Sequence, residues 1–148
     1  GETALMLKEH FIEDHGVPFY TVGVVKEVPG VRCYVSVDGG MADNIRPALY
    51  GAKQEAVLAN KMRAKETGKF TIAGKFCESG DILIKDINLP KPTAGDILAI
   101  PDCGAYCIPQ ASNYNASFKV AVVMVREGKV RLIRRRETME DLTRCDII

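Results

Sequence analysis

Residues 118–135 read FKVAVVMVREGKVRLIRR, two alternating runs of residues on either side of Glu127 and Gly128. Alternation with a period of two is typical of β-strands that bury one face. A two-residue loop that ends in glycine is typical of a tight hairpin. The stretch therefore predicts an antiparallel hairpin between strands 118–126 and 129–135.

Other short runs rich in β-branched residues precede this hairpin, and turn-forming pairs such as ProGly at 29–30 and GlyGly at 39–40 separate them. Strands this short and this closely spaced predict a mainly β fold, an antiparallel Greek-key-like barrel or sandwich. The additional predicted strands are 19–28, 32–38, 69–75, 81–85 and 96–101.

Two segments predict short helices. Residues 4–15 place apolar residues at helical spacing before a glycine and a proline end the pattern. At 138–143, Thr138 followed by Asp141 resembles a capping box. Residues 52–66 stay ambiguous, because their composition favours a helix while their first half alternates like a strand.

The composition indicates one globular domain, with 148 residues of which 47% are hydrophobic and 26% charged. Lys and Arg (20) nearly balance Asp and Glu (19), so no overall field attracts nucleic acid or an anionic membrane. The basic run RLIRRR at 131–136 alternates like a strand and acidic residues follow it. We expect neither a nucleic-acid nor a membrane partner, and in the absence of a signal-peptide pattern we expect a cytoplasmic location.

Five scattered cysteines form an odd set without a CxxC pair, which favours free thiols over disulfides or structural zinc. The two histidines, His10 and His15, would point to different faces of a helix. The sequence therefore predicts no metal site.

A first cluster that can carry chemistry is DGGMADNIRPALYGA, residues 38–52. Arg46 and Tyr50 are four residues apart, so one helical turn would project both side chains together. A guanidinium binds a carboxylate through two hydrogen bonds, and a phenol beside it can add a third. The alternative is a surface loop with an incidental arginine.

A second cluster is GKFCESGD, residues 74–81, which places Cys77 beside Glu78 in a polar turn between two strands. No suitable histidine is visible as a base for the thiol, so a protease-like nucleophile is not indicated. The alternative is a small buried cysteine next to a solvated glutamate.

A third cluster is DCGAYCIPQASNYNAS, residues 102–117, in which small and polar residues flank Tyr106. Gly104 would allow close approach of the backbone to a ligand, and the tyrosine hydroxyl can donate to a phosphate oxygen. Turn chemistry alone is the alternative explanation.

In this order, the three clusters and RRRETMEDL at 134–142 resemble motifs of the diaminopimelate decarboxylase family, in its carboxy-terminal β-domain. This family comprises fold-type III pyridoxal-phosphate enzymes of lysine synthesis in bacteria and plants. The resemblance covers roughly residues 19–148. Ornithine and arginine decarboxylases share a Cys-plus-acid loop, but RPALY and CESGD are closer to the diaminopimelate branch.

The resemblance implies a lyase that converts meso-diaminopimelate to L-lysine and carbon dioxide. Arg46 and Tyr50 would bind the carboxylate at the non-reacting end of the substrate, and Glu78 its distal ammonium. Tyr106 would lie where substrate and cofactor meet, near the cofactor phosphate. Cys77 would approach the reacting carbon from a partner subunit and help protonation after carbon dioxide leaves.

The family's α/β-barrel domain, with its Schiff-base lysine, has no counterpart in these motifs. We therefore expect residues 18–148 to be the β-barrel domain and residues 1–17 a short helical leader or a barrel remnant. Alone, the chain is expected to bind no pyridoxal phosphate and to be inactive. In the complete enzyme it would join the α/β-barrel domain in a homo-oligomer, cytoplasmic or plastidic. The alternative is a non-catalytic ligand-binding or dimerisation module derived from this fold.

Overall fold

The computed structural model describes residues 4–7 and 16–147, and strands dominate it. The strands of the described residues are β1 Ala4–Leu7, β2 Gly16–Val28, β3 Arg32–Val37, β4 Val57–Leu58, β5 Gly68–Ala73, β6 Ile82–Leu89, β7 Ile97–Ala99, β8 Ala121–Arg126 and β9 Lys129–Arg134. Seven of these strands follow one another across a sheet in the order β6-β5-β3-β2-β1-β8-β9, while β7 pairs with β2 and β4. The prediction of a mainly β fold is confirmed.

The long strand β2 organises the sheet because its two halves have different neighbours. Its first half pairs with β1 and β7, and its second half pairs with β3. Side chains from β2, β3, β5 and β7 meet in one core, in which Val35, Ile72 and Leu98 are completely buried. Each such side chain stabilises the fold by about 1.5–3 kcal/mol through burial.

The hairpin expected near the carboxyl end is confirmed. Strands β8 and β9 pair antiparallel from Arg126 and Lys129 outward. Glu127 and Gly128 both have positive φ, 50° and 73°, as a primed hairpin turn requires.

The sheet is mixed, which corrects the prediction of antiparallel strands for two of the strand pairs. Strand β1 runs parallel to β8, and β3 runs parallel to β5. Parallel neighbours need a long connection between them. Residues 38–67, which hold the first chemical cluster, form the connection between β3 and β5.

The helix predicted for residues 4–15 is wrong over residues 4–7, which form β1. This strand lies between β2 and β8, so its backbone is paired on both sides. Such pairing outweighs the weak helical preference of a four-residue segment. Residues 8–15 lie outside the described residues, and the expected boundary between residues 17 and 18 falls within β2.

The carboxyl-terminal helix is confirmed as α3, Met139–Thr143, with the predicted capping box between Thr138 and Asp141. The ambiguous segment 52–66 contributes only the short strand β4 and is otherwise without helix or strand. Two more helices, α1 Arg46–Tyr50 and α2 Gly104–Gln110, lie in the first and third clusters. In the described part of the chain, no helix is long and apolar enough to cross a membrane.

Candidate functional site

The arginine loop, residues 38–52, contains the helical turn on which the first cluster depends. Pro47 lies in the first turn of α1, and Gly51 ends the helix in the left-handed conformation, with φ 64°. Arg46 and Tyr50 are therefore one turn apart on the same helical face. Tyr50 is 64% exposed, so its hydroxyl is available to a ligand or a partner.

The tyrosine segment, residues 102–117, contains a helix that turn chemistry did not predict. Cys103 and Cys107 are buried on one side of α2, whereas Tyr106 is 52% exposed on the other. The Arg46 guanidinium lies 5.1 Å from the centre of the Tyr106 ring, in a cation–π contact. The Ser112 N–H also donates to the Ala42 carbonyl at 2.9 Å. The arginine loop and the tyrosine segment thus form one surface.

The cysteine loop, residues 74–81, is joined to the tyrosine segment. The rings of Phe76 and Tyr114 meet edge to face with centroids 5.5 Å apart. Both Cys77 and Glu78 are exposed on this loop. Hydrogen bonds from the Gly80 N–H and the Ser79 hydroxyl, with a further one from Tyr114, lower the pKa of Glu78. Glu78 is therefore a carboxylate at neutral pH.

The arginine and cysteine loops are also joined to each other. The Lys75 N–H donates to the Gly39 carbonyl at 2.9 Å. Asp81 accepts hydrogen bonds from the backbone of both loops, through the N–H groups of Met41 and Phe76. All three sequence clusters therefore converge, although they are separated in the chain by several strands.

Two weakly acidic side chains lie close together at the arginine loop, Tyr20 of β2 and Asp43 of the loop itself. Tyr20 is 1% exposed, and its hydroxyl has no hydrogen-bond partner among the described residues. Burial, with the nearby Asp43 carboxylate as the next cause, raises the pKa of Tyr20 well above its usual value. Burial likewise raises the pKa of Asp43 to about 6, although the Gly40 N–H donates to it.

The arrangement offers complementary charges on adjoining loops. Arg46 presents a guanidinium that can bind a carboxylate, and Glu78 presents a carboxylate that can bind an ammonium group. The contacts that join these loops to the tyrosine segment are those of Arg46 with Tyr106 and of Phe76 with Tyr114. Tyr50 and Cys77 lie on the same loops as exposed side chains. An amino acid carries both groups that such a surface would recognise.

The described residues hold no group of three or more His, Cys, Asp or Glu side chains that could bind a metal ion. The polar groups that are present fit one edge of a phosphorylated cofactor. The exposed Tyr106 phenol can donate to a phosphate oxygen, and Arg46 beside it adds positive charge.

Sequence reasoning missed the residues that hold the loops together. Asp81 counted only as part of a SerGlyAsp turn and the start of a strand, and Tyr114 was part of a polar run without an assigned role. Asp43 had no distinguishing neighbour in the sequence. The sequence marks a turn at Ser79, Gly80 and Asp81, but it carries no signal that Asp81 is buried.

The fold and this site define a class of protein. Residues 14–104 match the family model for the C-terminal sheet domain of pyridoxal-dependent decarboxylases. The chain therefore belongs to the pyridoxal-dependent decarboxylase family, within its C-terminal sheet domain.

Individual proteins with similar sequences show which members of this family the chain resembles. The chain is 53% identical to diaminopimelate decarboxylase of Bacillus subtilis over 136 residues, which are 92% of this chain and 31% of that protein. It is 48% identical to the enzyme of the same name from Synechocystis over 132 residues, 89% of this chain and 28% of that protein. The chain spans about a third of the length of these relatives.

Solved structures agree. Diaminopimelate decarboxylase from M. jannaschii in complex with L-lysine superposes with a TM-score of 0.84 at 40% identity, over 92% of this chain and 31% of that one. Lysine decarboxylase from Selenomonas ruminantium shares the fold at 18% identity, with a TM-score of 0.65 over 76% of this chain and 30% of that one.

Proposed function

We propose that the chain is the C-terminal domain of a diaminopimelate decarboxylase and that it binds the non-reacting end of meso-diaminopimelate. The observation that carries this proposal is the junction of the three loops, in which Arg46 contacts Tyr106 and Phe76 contacts Tyr114. The identity to diaminopimelate decarboxylases over most of the chain supports the substrate class.

The distal end of the substrate is an α-amino-acid group with one carboxylate and one ammonium. Arg46 would bind the carboxylate through two parallel hydrogen bonds, and Tyr50, one turn away, would add a third. Glu78 would accept from the ammonium, and its lowered pKa keeps it charged for that purpose. An amino acid that lacks the distal carboxylate would leave Arg46 without its partner, which is how such a site discriminates.

Tyr106 and Cys77 would act nearer the reacting end. From its exposed position on α2, the Tyr106 hydroxyl would donate to the cofactor phosphate. The exposed Cys77 thiol would deliver a proton to the reacting carbon of a substrate bound to a partner subunit. The pyridoxal phosphate of the complete enzyme supplies an electron sink for the bond that breaks. The α/β-barrel domain and a second subunit are the partners that this proposal requires.

A domain replacement tests the proposal. We would replace the C-terminal domain of the Bacillus subtilis enzyme by this chain, load the chimera with pyridoxal phosphate, and measure carbon dioxide and L-lysine formed from meso-diaminopimelate. We expect turnover by the chimera and none by the chain alone. A folded, cofactor-loaded chimera that releases no carbon dioxide would overturn the proposal.

A further inference from the structure

Asp81 is the last residue of the cysteine loop, and its side chain contacts the arginine loop. It is 2% exposed and follows the Cys77–Glu78 turn directly before β6. One carboxylate oxygen, Oδ1, accepts from the Met41 N–H at 2.7 Å, and the other, Oδ2, accepts from the Phe76 N–H at 2.8 Å. A single buried side chain therefore joins the arginine loop to the cysteine loop.

The space around this carboxylate is complementary to it. A β-carbon on Gly74 would collide with both Asp81 oxygens, and one on Gly40 would lie 2.6 Å from Oδ1. These glycines belong to the two loops that Asp81 joins. The carboxylate therefore fills the volume that the missing side chains leave, and the loops cannot close further without displacing it.

The chemistry of the contact requires a carboxylate. Burial raises the pKa of Asp81, while the N–H groups of Phe76 and Met41 oppose that shift. Two donors converge on two acceptor oxygens. An asparagine would retain one acceptor and set its own amide N–H groups against the second donor, so one of the two loops would lose its bond.

We propose that Asp81 is a positioning residue, which sets the separation between the arginine loop and the cysteine loop and hence between Arg46 and Glu78. The part of this inference that concerns substrate rests on the proposed function. An α-amino-acid group has a fixed distance between its carboxylate and its ammonium, so the two side chains can bind both groups only at a matching separation. Asp81 thus determines whether the distal end of the substrate is recognised as an amino acid.

The first test needs no variant and no substrate. In the isolated chain, NMR detection of couplings across hydrogen bonds should connect the Asp81 side-chain carboxyl carbon to the amide nitrogens of both Met41 and Phe76. A coupling to one amide alone, or to neither, would overturn the proposed link between the loops. This result does not depend on the proposed activity.

The second test uses the chimera and two variants that disturb the same contact from opposite sides, Asp81→Asn and Gly74→Ala. We expect both variants to raise KM for meso-diaminopimelate about tenfold or more, with a smaller fall in kcat. The reason is that the Asp81 contact positions Arg46 and Glu78, which would bind the non-reacting end of the substrate. Asp96→Asn is the matched control, since Asp96 is also a buried loop carboxylate but bonds to Asn60, Lys61 and Thr93.

The outcomes separate the two proposals. If Asp96→Asn raises KM as much as the site variants do, general loss of stability explains the effect and the positioning role is overturned. A chimera with Asp81 intact that shows no turnover removes the proposed function, while the NMR couplings still decide whether Asp81 joins the loops.

Discussion

Two buried aspartates show how differently this fold uses a carboxylate in a loop. Asp96 is 4% exposed and binds Lys61 at 2.6 Å, Asn60 at 2.9 Å and the Thr93 N–H at 2.8 Å. Burial opposes its ionisation, but these hydrogen bonds prevail and lower the pKa of Asp96 to about 2. Asp81, buried to the same degree, has a raised pKa because burial prevails over its two backbone hydrogen bonds.

The difference separates a region built for stability from a region built for positioning. In the Asp96 region, an ion pair with Lys61 links the segment after β4 to the turn before β7, and Asp96 also accepts from the Thr93 N–H within that turn. The Asp81 region holds a carboxylate in a less favourable setting and in return joins the arginine loop to the cysteine loop. Loops that carry function commonly have this property, because a site needs defined geometry more than maximal stability.

The largest expected effect is a loss of turnover on substitution of Glu78, in the region built for positioning. Glu78→Ala in the chimera should lower kcat/KM for meso-diaminopimelate by about a hundredfold or more, because the distal ammonium loses its charged acceptor. Its melting temperature should not change, since Glu78 is exposed. Turnover assays with thermal unfolding check both statements.

The exposed Glu66 provides the control, because Glu66→Ala removes the same side chain from a loop outside the three clusters. Equal losses of turnover in the two variants would show that Glu78 has no special role.

A smaller effect is expected in the Asp96 region, which is built for stability. Lys61→Met should lower the free energy of unfolding by about 2–3 kcal/mol, since the buried Asp96 carboxylate loses its cation. The stability that Asp96 contributes is present above about pH 4 and is lost as the pH falls through its folded pKa of about 2. The difference between Lys61→Met and the wild type should therefore shrink in acid.

Urea unfolding at about pH 7 and about pH 2 measures this change. A loss of stability that is the same at both pH values would contradict the assigned ion pair. Turnover per folded chimera should be unaffected by Lys61→Met.

The smallest expected effect concerns Asp43, whose ionisation lowers stability, whereas that of Asp96 raises it. The folded pKa of Asp43, about 6, lies above its ordinary value, so the unfolded chain releases its proton first as the pH rises. The contribution of Asp43 to stability should therefore fall between about pH 4 and pH 6 and stay level above that range. Asp43→Asn keeps an acceptor for the Gly40 N–H and should be more stable than the wild type by about 1–2 kcal/mol at neutral pH.

The gain should nearly vanish at about pH 4, where the wild-type carboxyl group is largely protonated in the folded chain. Equal differences at acid and neutral pH would show that burial of the charge at Asp43 is not the cause.

Much of the fold could be predicted because it depends on local patterns. The hairpin of β8 and β9 follows from alternation and a glycine turn, and α3 follows from its capping box. Strand β1 could not be predicted in this way, since its conformation is set by pairing with β2 and β8, which are distant in sequence. The parallel pairing of β1 with β8 and of β3 with β5 could not be predicted for the same reason.

The residues of the site likewise include some that could be predicted from the sequence and some that could not. The side chains that would contact a ligand, such as Arg46 and Glu78, lie in distinctive motifs and could be proposed from the sequence. The residues that hold those motifs together could not be identified there, because Asp81 and Tyr114 act through contacts with other loops. Burial, which decides the role of Asp81, is a property of the folded chain.

The central claim is that the joined loops bind one amino-acid group together, and a double-mutant cycle on the chimera tests it most directly. Arg46→Lys and Glu78→Gln would be made singly and together, and kcat/KM for meso-diaminopimelate measured for each. Since both side chains would bind the same end of the substrate, we predict that the double variant loses little more than the worse single variant. Losses that simply multiply would contradict the account, because they would show that Arg46 and Glu78 act independently.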